Sequence, residues 1–505
     1  MPRKRYLLAA ATALFAFAAA GCAVSQQSAQ QEAASNMARS ADSVSESGYA
    51  GQPAPPNGEA YDNMYFEHYG TNPFIATEED RLSTFAADVD TGSYTVMRNY
   101  INRGELPPND AVRVEEFVNY FPVAYPLPAQ GDTFAIHTDG GPSPFGEGYD
   151  LLRIGIKGKE IAIENRLPAH LTFVIDVSGS MNRENRLELV KKSLRVLVDQ
   201  LTEEDTVGIV VYGSRGRVLL EPTSIAEREE IMQAIDQLQP EGSTNAEEGL
   251  RLGYEMAAEW YEKGAINRVI LCSDGVANVG KTGHEEILKE IEQHATAGIA
   301  LSTFGFGMGN YNDVLMEQLA DEGDGQYAYI GTFSEARRVF TEALTGTLQT
   351  IASEVKIQVE FDPGQVERYR LLGYENRDVR DEDFRNDKVD AGEIGSGHTV
   401  TALYEVKRKG SATAPLGTIR LRYREQESGQ IKEIEQPLLT GNELSQDLRF
   451  LAAVAEYAEI LRGSYWAKDG SLEEVLQLAE ENSSGEQQME FVRLVKDSIA
   501  LQREE

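Results

Sequence analysis

The sequence predicts an α/β protein: a doubly wound, mostly parallel sheet over residues 170–350, flanked by an N-terminal α+β segment and by a C-terminal segment that is β-rich and then helical. Three observations lead there. From residue 170 short apolar runs alternate with stretches of helical spacing, the pattern of strands joined by crossover helices. The first of these runs ends in Asp176-Val177-Ser178-Gly179-Ser180, a polar turn just past a buried strand. After residue 351 the alternation gives way to runs that read as antiparallel strands, followed by three helices.

Taken in order, residues 1–21 place Arg3, Lys4 and Arg5 before an apolar run and Gly21, the basic–apolar–small order of a secretory signal. The run is too short to span a membrane well. Residues 22–60 are rich in Gln, Ser, Ala, Gly and Pro and read as a disordered tether. Residues 61–169 form the N-terminal unit, with strands at 82–89, 133–137 and 151–157 and helices at 94–102 and 111–121, each helix stopped by Gly or Pro. In the central unit, 170–350, strands are expected at 171–175, 206–212, 217–220, 268–272, 300–306 and 326–330. The intervening helices fall near 187–201, 227–238, 246–262, 285–297, 314–321 and 335–348. The C-terminal unit, 351–505, carries strands at 355–361, 399–406 and 418–423 and helices at 446–461, 472–479 and 488–501.

Composition narrows the class. Hydrophobic residues at 41% and charged ones at 26% describe a globular chain with ample core. A net charge of −35, spread along the chain, argues against nucleic-acid binding, which needs a basic footprint. Cys272 sits within the apolar run 269–272 and reads as a small buried core residue.

The chemistry gathers at strand ends. In extended chain, residues two apart point the same way, so Asp176, Ser178 and Ser180 present one carboxylate and two hydroxyls to a common point. These are hard oxygen donors, suited to Mg²⁺ or Ca²⁺. Asp274 follows the apolar run 268–272, and Thr244 precedes the long helix after the third strand. In open α/β sheets, ligands bind beyond the carboxyl ends of strands where the strand order reverses. If the strands at 171–175 and 268–272 are neighbours, Asp176 and Asp274 meet, and the Thr244 hydroxyl reaches the same point. Thr244-x-x-Glu247 also spells a helix-capping box, and Asn185-x-x-Glu188 spells another. Asp88-x-Asp90-x-Gly92 lacks the sixth-position glycine and closing glutamate of a calcium loop and reads as a strand-end turn. No Gly-x-Ser-x-Gly, His-Glu-x-x-His or phosphate-cradling loop is present, and the six histidines lie outside the motif stretches, so no enzyme is expected. His170 opens the first central strand, on the end away from Asp176, and reads as structural.

In this order and at these spacings, Asp176-x-Ser178-x-Ser180, Thr244 and Asp274 resemble the metal-ion-dependent adhesion site of a von Willebrand factor type A domain. The resemblance implies side-chain oxygens from Asp176, Ser178, Ser180 and Thr244 on one Mg²⁺ or Ca²⁺, with Asp274 acting directly or through water. It also implies a last coordination position left for an Asp or Glu of a protein partner. Residues 82–94 and 106–121 are similar to an extra N-terminal segment of certain bacterial type A proteins, and 374–377 and 386–398 to a C-terminal domain of the same proteins. Ala19-Ala20-Gly21-Cys22 resembles a bacterial lipobox, which implies acylation of Cys22 as the mature N-terminus. The absence of Asp at position 23 resembles the sorting pattern for outer-membrane retention. The expectation is therefore a lipid-anchored envelope protein that binds a protein partner through a metal. A metal-dependent hydrolase and a channel-related component stand as alternatives.

Overall fold

The computed structural model describes residues 64–275, 284–309, 311–342, 344–389, 391–409 and 414–503. The readings made for residues 1–60, Cys22 among them, lie outside the described residues.

The N-terminal segment contributes β1 (Ile75–Ala76), β2 (Leu82–Ala86), α1 (Gly92–Asn102), α2 (Val114–Asn119), β3 (Phe134–Pro142) and β4 (Asp150–Gly158). The central unit opens with β5 (Ala169–Asp176), α3 (Arg186–Val198), β6 (Thr206–Tyr212), β7 (Gly216–Ser224), α4 (Arg228–Asp236) and α5 (Ala246–Glu259). It continues with β8 (Ile266–Ser273), α6 (His284–Thr296), β9 (Ala300–Phe306), α7 (Asp313–Asp321), β10 (Tyr327–Ile330), α8 (Phe333–Arg337) and α9 (Leu344–Leu348). The sequence suggests one helix over 335–348; a π-helical turn, Arg338–Glu342, follows α8 directly. Thr345, Gly346 and Thr347 in α9 are weak helix formers.

The central sheet is six-stranded in the order β10-β9-β8-β5-β6-β7, parallel except for β7, which runs antiparallel to β6. Side chains alternate across it. Leu171, Phe173 and Ile175 of β5 enter a core with Leu187, Leu194 and Ile231 of α3 and α4. Val174 enters the opposite core with Leu250, Tyr254 and Ile291 of α5 and α6. Helices thus cover both faces, as the doubly wound reading requires. At Gly253 a Cβ would lie 2.3 Å from Val174 Cγ2, so glycine there lets α5 seat closely on β5.

The last segment supplies β11 (Thr350–Phe361), β12 (Val366–Leu372), β13 (Ile394–Gly395), β14 (Thr399–Arg408), β15 (Gly417–Glu425) and β16 (Ile431–Leu438). Helices α10 (Gln446–Leu461), α11 (Leu472–Asn482) and α12 (Glu486–Gln502) follow. The two flanking segments, 61–169 and 351–505, share their sheets. One sheet runs β1-β12-β14-β4-β3, and in the other β2 pairs with β11 beside β15 and β16. Ile156 of β4 faces Val400 of β14, and Phe85 of β2 faces Ile357 of β11. An isolated β3–β4 hairpin would leave two faces wet and be marginal at best; pairing with β14 makes β4 buried along almost its whole length. The helices are shared in the same way: Tyr94, Phe117 and Phe121 pack with Phe450, Tyr457 and Phe491 in one aromatic core.

An ionic clamp ties all three segments together. Arg377 donates to Asp88 at 3.3 Å, to Glu317 at 2.9 Å and to Asp321 at 2.6 Å. Arg113 donates to Asp313 at 2.9 Å and to Glu116. Among the described residues no helix is long and apolar enough to cross a membrane.

Candidate metal centre

The chain passes from β5 to β6 on one side and later to β8 on the other, so the strand order reverses between β5 and β8. This is the crevice where ligands bind in open α/β sheets. The two strands are parallel neighbours in register, Ile175 beside Cys272, which sets Asp176 against Ser273 and Asp274 at their carboxyl ends.

Four of the expected residues converge there. Asp176 Oδ1 accepts the Ser178 amide at 2.8 Å, and its Oδ2 accepts the Ser273 hydroxyl at 3.1 Å. The Ser178 and Ser180 hydroxyls share a hydrogen bond of 2.9 Å, and Ser180 Oγ donates to Asp274 Oδ1 at 3.1 Å. Asp176, Ser178 and Asp274 are buried, whereas Ser180 is half-buried and opens the group to the surface.

Thr244 belongs to a loop held against the same turn. The Gly179 amide donates to the Gly242 carbonyl at 3.1 Å, and the Glu241 amide to the Val177 carbonyl at 2.5 Å. Gly213 at the end of β6 makes this approach feasible, since a Cβ there would meet the Glu241 carbonyl oxygen at 2.2 Å. The capping box suggested for Thr244 falls one residue later. Asn245 caps α5, its Oδ1 accepting the Glu248 amide. Thr244 is half-buried and free of capping duty, and among the described residues no hydrogen bond joins its hydroxyl to the other four. The expected Asn185 cap also differs, because a 3₁₀ stretch, Gly179–Asn185, runs straight into α3.

Two contributors were not singled out from sequence. Ser273 orients Asp176, and Arg186, the first residue of α3, donates Nη1 to Asp274 Oδ2 at 2.5 Å while Nη2 donates to the Met308 carbonyl. Each is reached only through a neighbouring strand or helix, so no local spacing signals it. Electrostatically the centre is strained toward a cation. Burial, and then the nearby Asp274, push the Asp176 carboxyl up to about 7. Burial also raises Asp274, against the pull of Arg186. Two buried carboxylates with hydroxyls and no soft donor fit a hard dication.

A second carboxylate group lies elsewhere. Oxygens of Asp88, Glu116 and Glu317, all buried, fall within 4.8 Å of one another. Asp88 sits in the strand-end turn read from the sequence, its Oδ1 accepting the Asp90 amide at 2.8 Å. The charges of this group are met by Arg113 and Arg377, which makes it part of the clamp. His170 stands at the opposite end of β5 from Asp176, bonded to Thr206 at 2.7 Å and Glu262 at 3.1 Å, and Cys272 is buried and free.

Family models match three stretches of the chain. One described as von Willebrand factor type A domain matches residues 170–345, one described as von Willebrand factor matches 60–153, and one described as Uncharacterized protein YfbK, C-terminal, matches 346–501. The chain is 39% identical over 461 residues to Uncharacterized protein YfbK of Escherichia coli (strain K12), covering 85% of this chain and 80% of that one. The chain belongs to the YfbK family of type A proteins. This YfbK-family chain is also 31% identical over 191 residues to protein sll0103 of Synechocystis, spanning 38% of itself and 44% of that protein. It is 27% identical over 209 residues to the human inter-alpha-trypsin inhibitor heavy chain H3, spanning 39% of itself and 22% of that protein. Among solved structures, a von Willebrand factor type A protein from Catenulispora acidiphila aligns with a TM-score of 0.43 at 15% identity, over 72% of this chain and 88% of that one.

Proposed function

We propose that this protein holds a divalent cation at Asp176, Ser178, Ser180, Thr244 and Asp274 and uses it to bind an acidic residue of a protein partner, as a lipid-anchored protein of the bacterial envelope. The observation that carries the reading is the convergence of two buried carboxylates and two serine hydroxyls at the β5/β8 switch point. Bound there, Mg²⁺ or Ca²⁺ supplies a strong demand for one more anionic oxygen, which an Asp or Glu side chain meets. The chain's own residues prepare the place. The Ser178 amide and Ser273 hydroxyl orient Asp176, and Ser180 orients Asp274.

Binding is proposed over turnover. Among the described residues, the hydrogen-bond partners of the four are an amide, serine hydroxyls and a guanidinium, none of which serves as a general base at neutral pH. The anchor and the outer-membrane location rest on the resemblance of residues 19–22 to a lipobox. Mass spectrometry of the membrane fraction checks the anchor, which requires Cys22 to carry lipid. Cross-linking to envelope proteins in Mg²⁺ and in EDTA tests the binding mode. A partner recovered in Mg²⁺ and lost both in EDTA and with Asp176→Ala supports the metal bridge; one retained in both moves the interface to the flanking segments.

A further inference from the structure

We propose that Arg186 is a fixed internal cation that weakens the hold of this centre on the metal alone and strengthens the hold of the metal-loaded centre on a carboxylate; the inference rests on the metal-bridge reading above and adds its regulation. Arg186 is buried, and its guanidinium is held from two sides, by Asp274 Oδ2 at 2.5 Å and by the Met308 carbonyl. The fold makes room for it. Gly307, just past β9, has φ +79°, and a Cβ there would lie 2.2 Å from Arg186 Nε and 2.4 Å from its Cδ. A charge seated between a carboxylate and a backbone carbonyl stays in place when a second cation arrives.

Charge counting gives the consequence. With both carboxyls ionised, Asp176 and Asp274 bring two negative charges and Arg186 one positive, so these three groups carry one net negative charge before a metal arrives. A dication turns this to one net positive charge in a buried setting, and a partner carboxylate then brings it to neutrality. Without Arg186 the dication alone would neutralise the two carboxylates, and an incoming carboxylate would leave an excess negative charge. Charges a few Å apart and shielded from water interact strongly enough to decide between these states. Arg186 therefore weakens the metal alone and strengthens the binding of a carboxylate to the metal-loaded centre. By linkage, each ligand raises the affinity of the other by the same factor.

The test is calorimetric titration of Mg²⁺ into the full chain, in NaCl and in sodium acetate of equal ionic strength, at alkaline pH so that both carboxyls are ionised. Acetate serves as the carboxylate probe. In the wild type, acetate should tighten Mg²⁺ by about tenfold; in Arg186→Gln, Mg²⁺ in NaCl should bind about tenfold more tightly than in the wild type and gain little from acetate. Arg186→Lys keeps the charge and should keep most of the acetate effect. Circular dichroism confirms that each variant is folded. Equal Mg²⁺ affinity in wild type and Arg186→Gln overturns the proposal, as does an equal shift in the Gln and Lys variants, which would trace the effect to packing. Wild-type protein that binds no Mg²⁺ in either salt refutes the metal-bridge reading itself and takes the proposal with it.

Discussion

Ser273 Oγ donates to Asp176 Oδ2 at 3.1 Å across two neighbouring parallel strands, so the carboxylate at the heart of the centre is aimed by the strand beside it. Its other oxygen is held by its own turn, through the Ser178 amide. An orientation set from two directions does not depend on a bound ion.

Asp176→Ala should therefore abolish Mg²⁺ binding in calorimetry while leaving the circular dichroism spectrum unchanged, because the apolar strands supply the core. In EDTA its melting temperature should equal or exceed that of the wild type, since the substitution removes one of two mutually repelling buried carboxylates. Global unfolding of the variant would contradict this.

Thr244 and Asn245 are adjacent and should separate cleanly. Thr244→Ala is expected to weaken Mg²⁺ binding with no loss of stability, as Thr244 caps nothing. Asn245→Ala removes the cap of α5 and should cost about 1 kcal/mol in denaturant unfolding. Its Mg²⁺ affinity should change less than that of Thr244→Ala. The reverse pattern would assign Thr244 a purely structural role.

Arg377 carries the clamp. Arg377→Met leaves the buried Asp88 and Glu317 short of a counter-charge and should destabilise the protein by about 3–5 kcal/mol in urea unfolding. A loss below about 1 kcal/mol would mean that protons replace the guanidinium at little cost.

The same clamp predicts a pH dependence. Burial raises Glu116 from 4.5 to about 8 and Glu317 from 4.5 to about 7, each against the pull of Arg113. A carboxyl whose folded pKa is raised holds its proton in the folded state and loses it on unfolding. Its contribution is fully present below about 4.5 and is lost as the pH rises through 7 to 8. Thermal stability should thus fall between about pH 4.5 and 8 and level off above it, by up to about 1.4 kcal/mol per pH unit for each group. Among the described residues Glu317 Oε2 accepts no hydrogen bond, so Glu317→Gln mimics the protonated form and should flatten the slope. A slope unchanged by that substitution would place the titration elsewhere.

Salt separates long-range from contact electrostatics. With a net charge of −35 the chain repels an acidic partner at a distance. Moderate NaCl should speed association by screening that field over about 10 Å, while the complex, held at contact by the metal, persists. Association slowed by salt, measured by stopped flow, would indicate a basic partner.

Much of the centre was legible in the sequence because it is local. Asp176, Ser178 and Ser180 share one turn, so their oxygens meet through local chain alone, Ser180 from the start of a 3₁₀ stretch and not from the extended chain the spacing suggested. Asp274 was legible as the end of an apolar strand, and the alternation of strands and helices announced a mostly parallel sheet covered by helices; that β5 and β8 are neighbours was left to the tertiary structure. The helix start at Ala246 was legible too, but its cap was not, since Thr244 and Asn245 both belong to the residue types that cap helices and only backbone geometry chooses between them.

What the tertiary structure alone decided is which distant residues meet. The residues on β4 spell a strand, yet nothing in them says that their partner is β14 in the far segment, because a backbone ladder carries no address and register is chosen by which hydrophobic faces are left to cover. The same holds for charge. Arg186 and Arg377 look like surface residues in the sequence, and they are buried or nearly so because the fold brings them beside carboxylates that must not go unpaired. The chain thus determines by itself the strand end that can hold a metal, while the packing of strand on strand decides which cation already stands beside it.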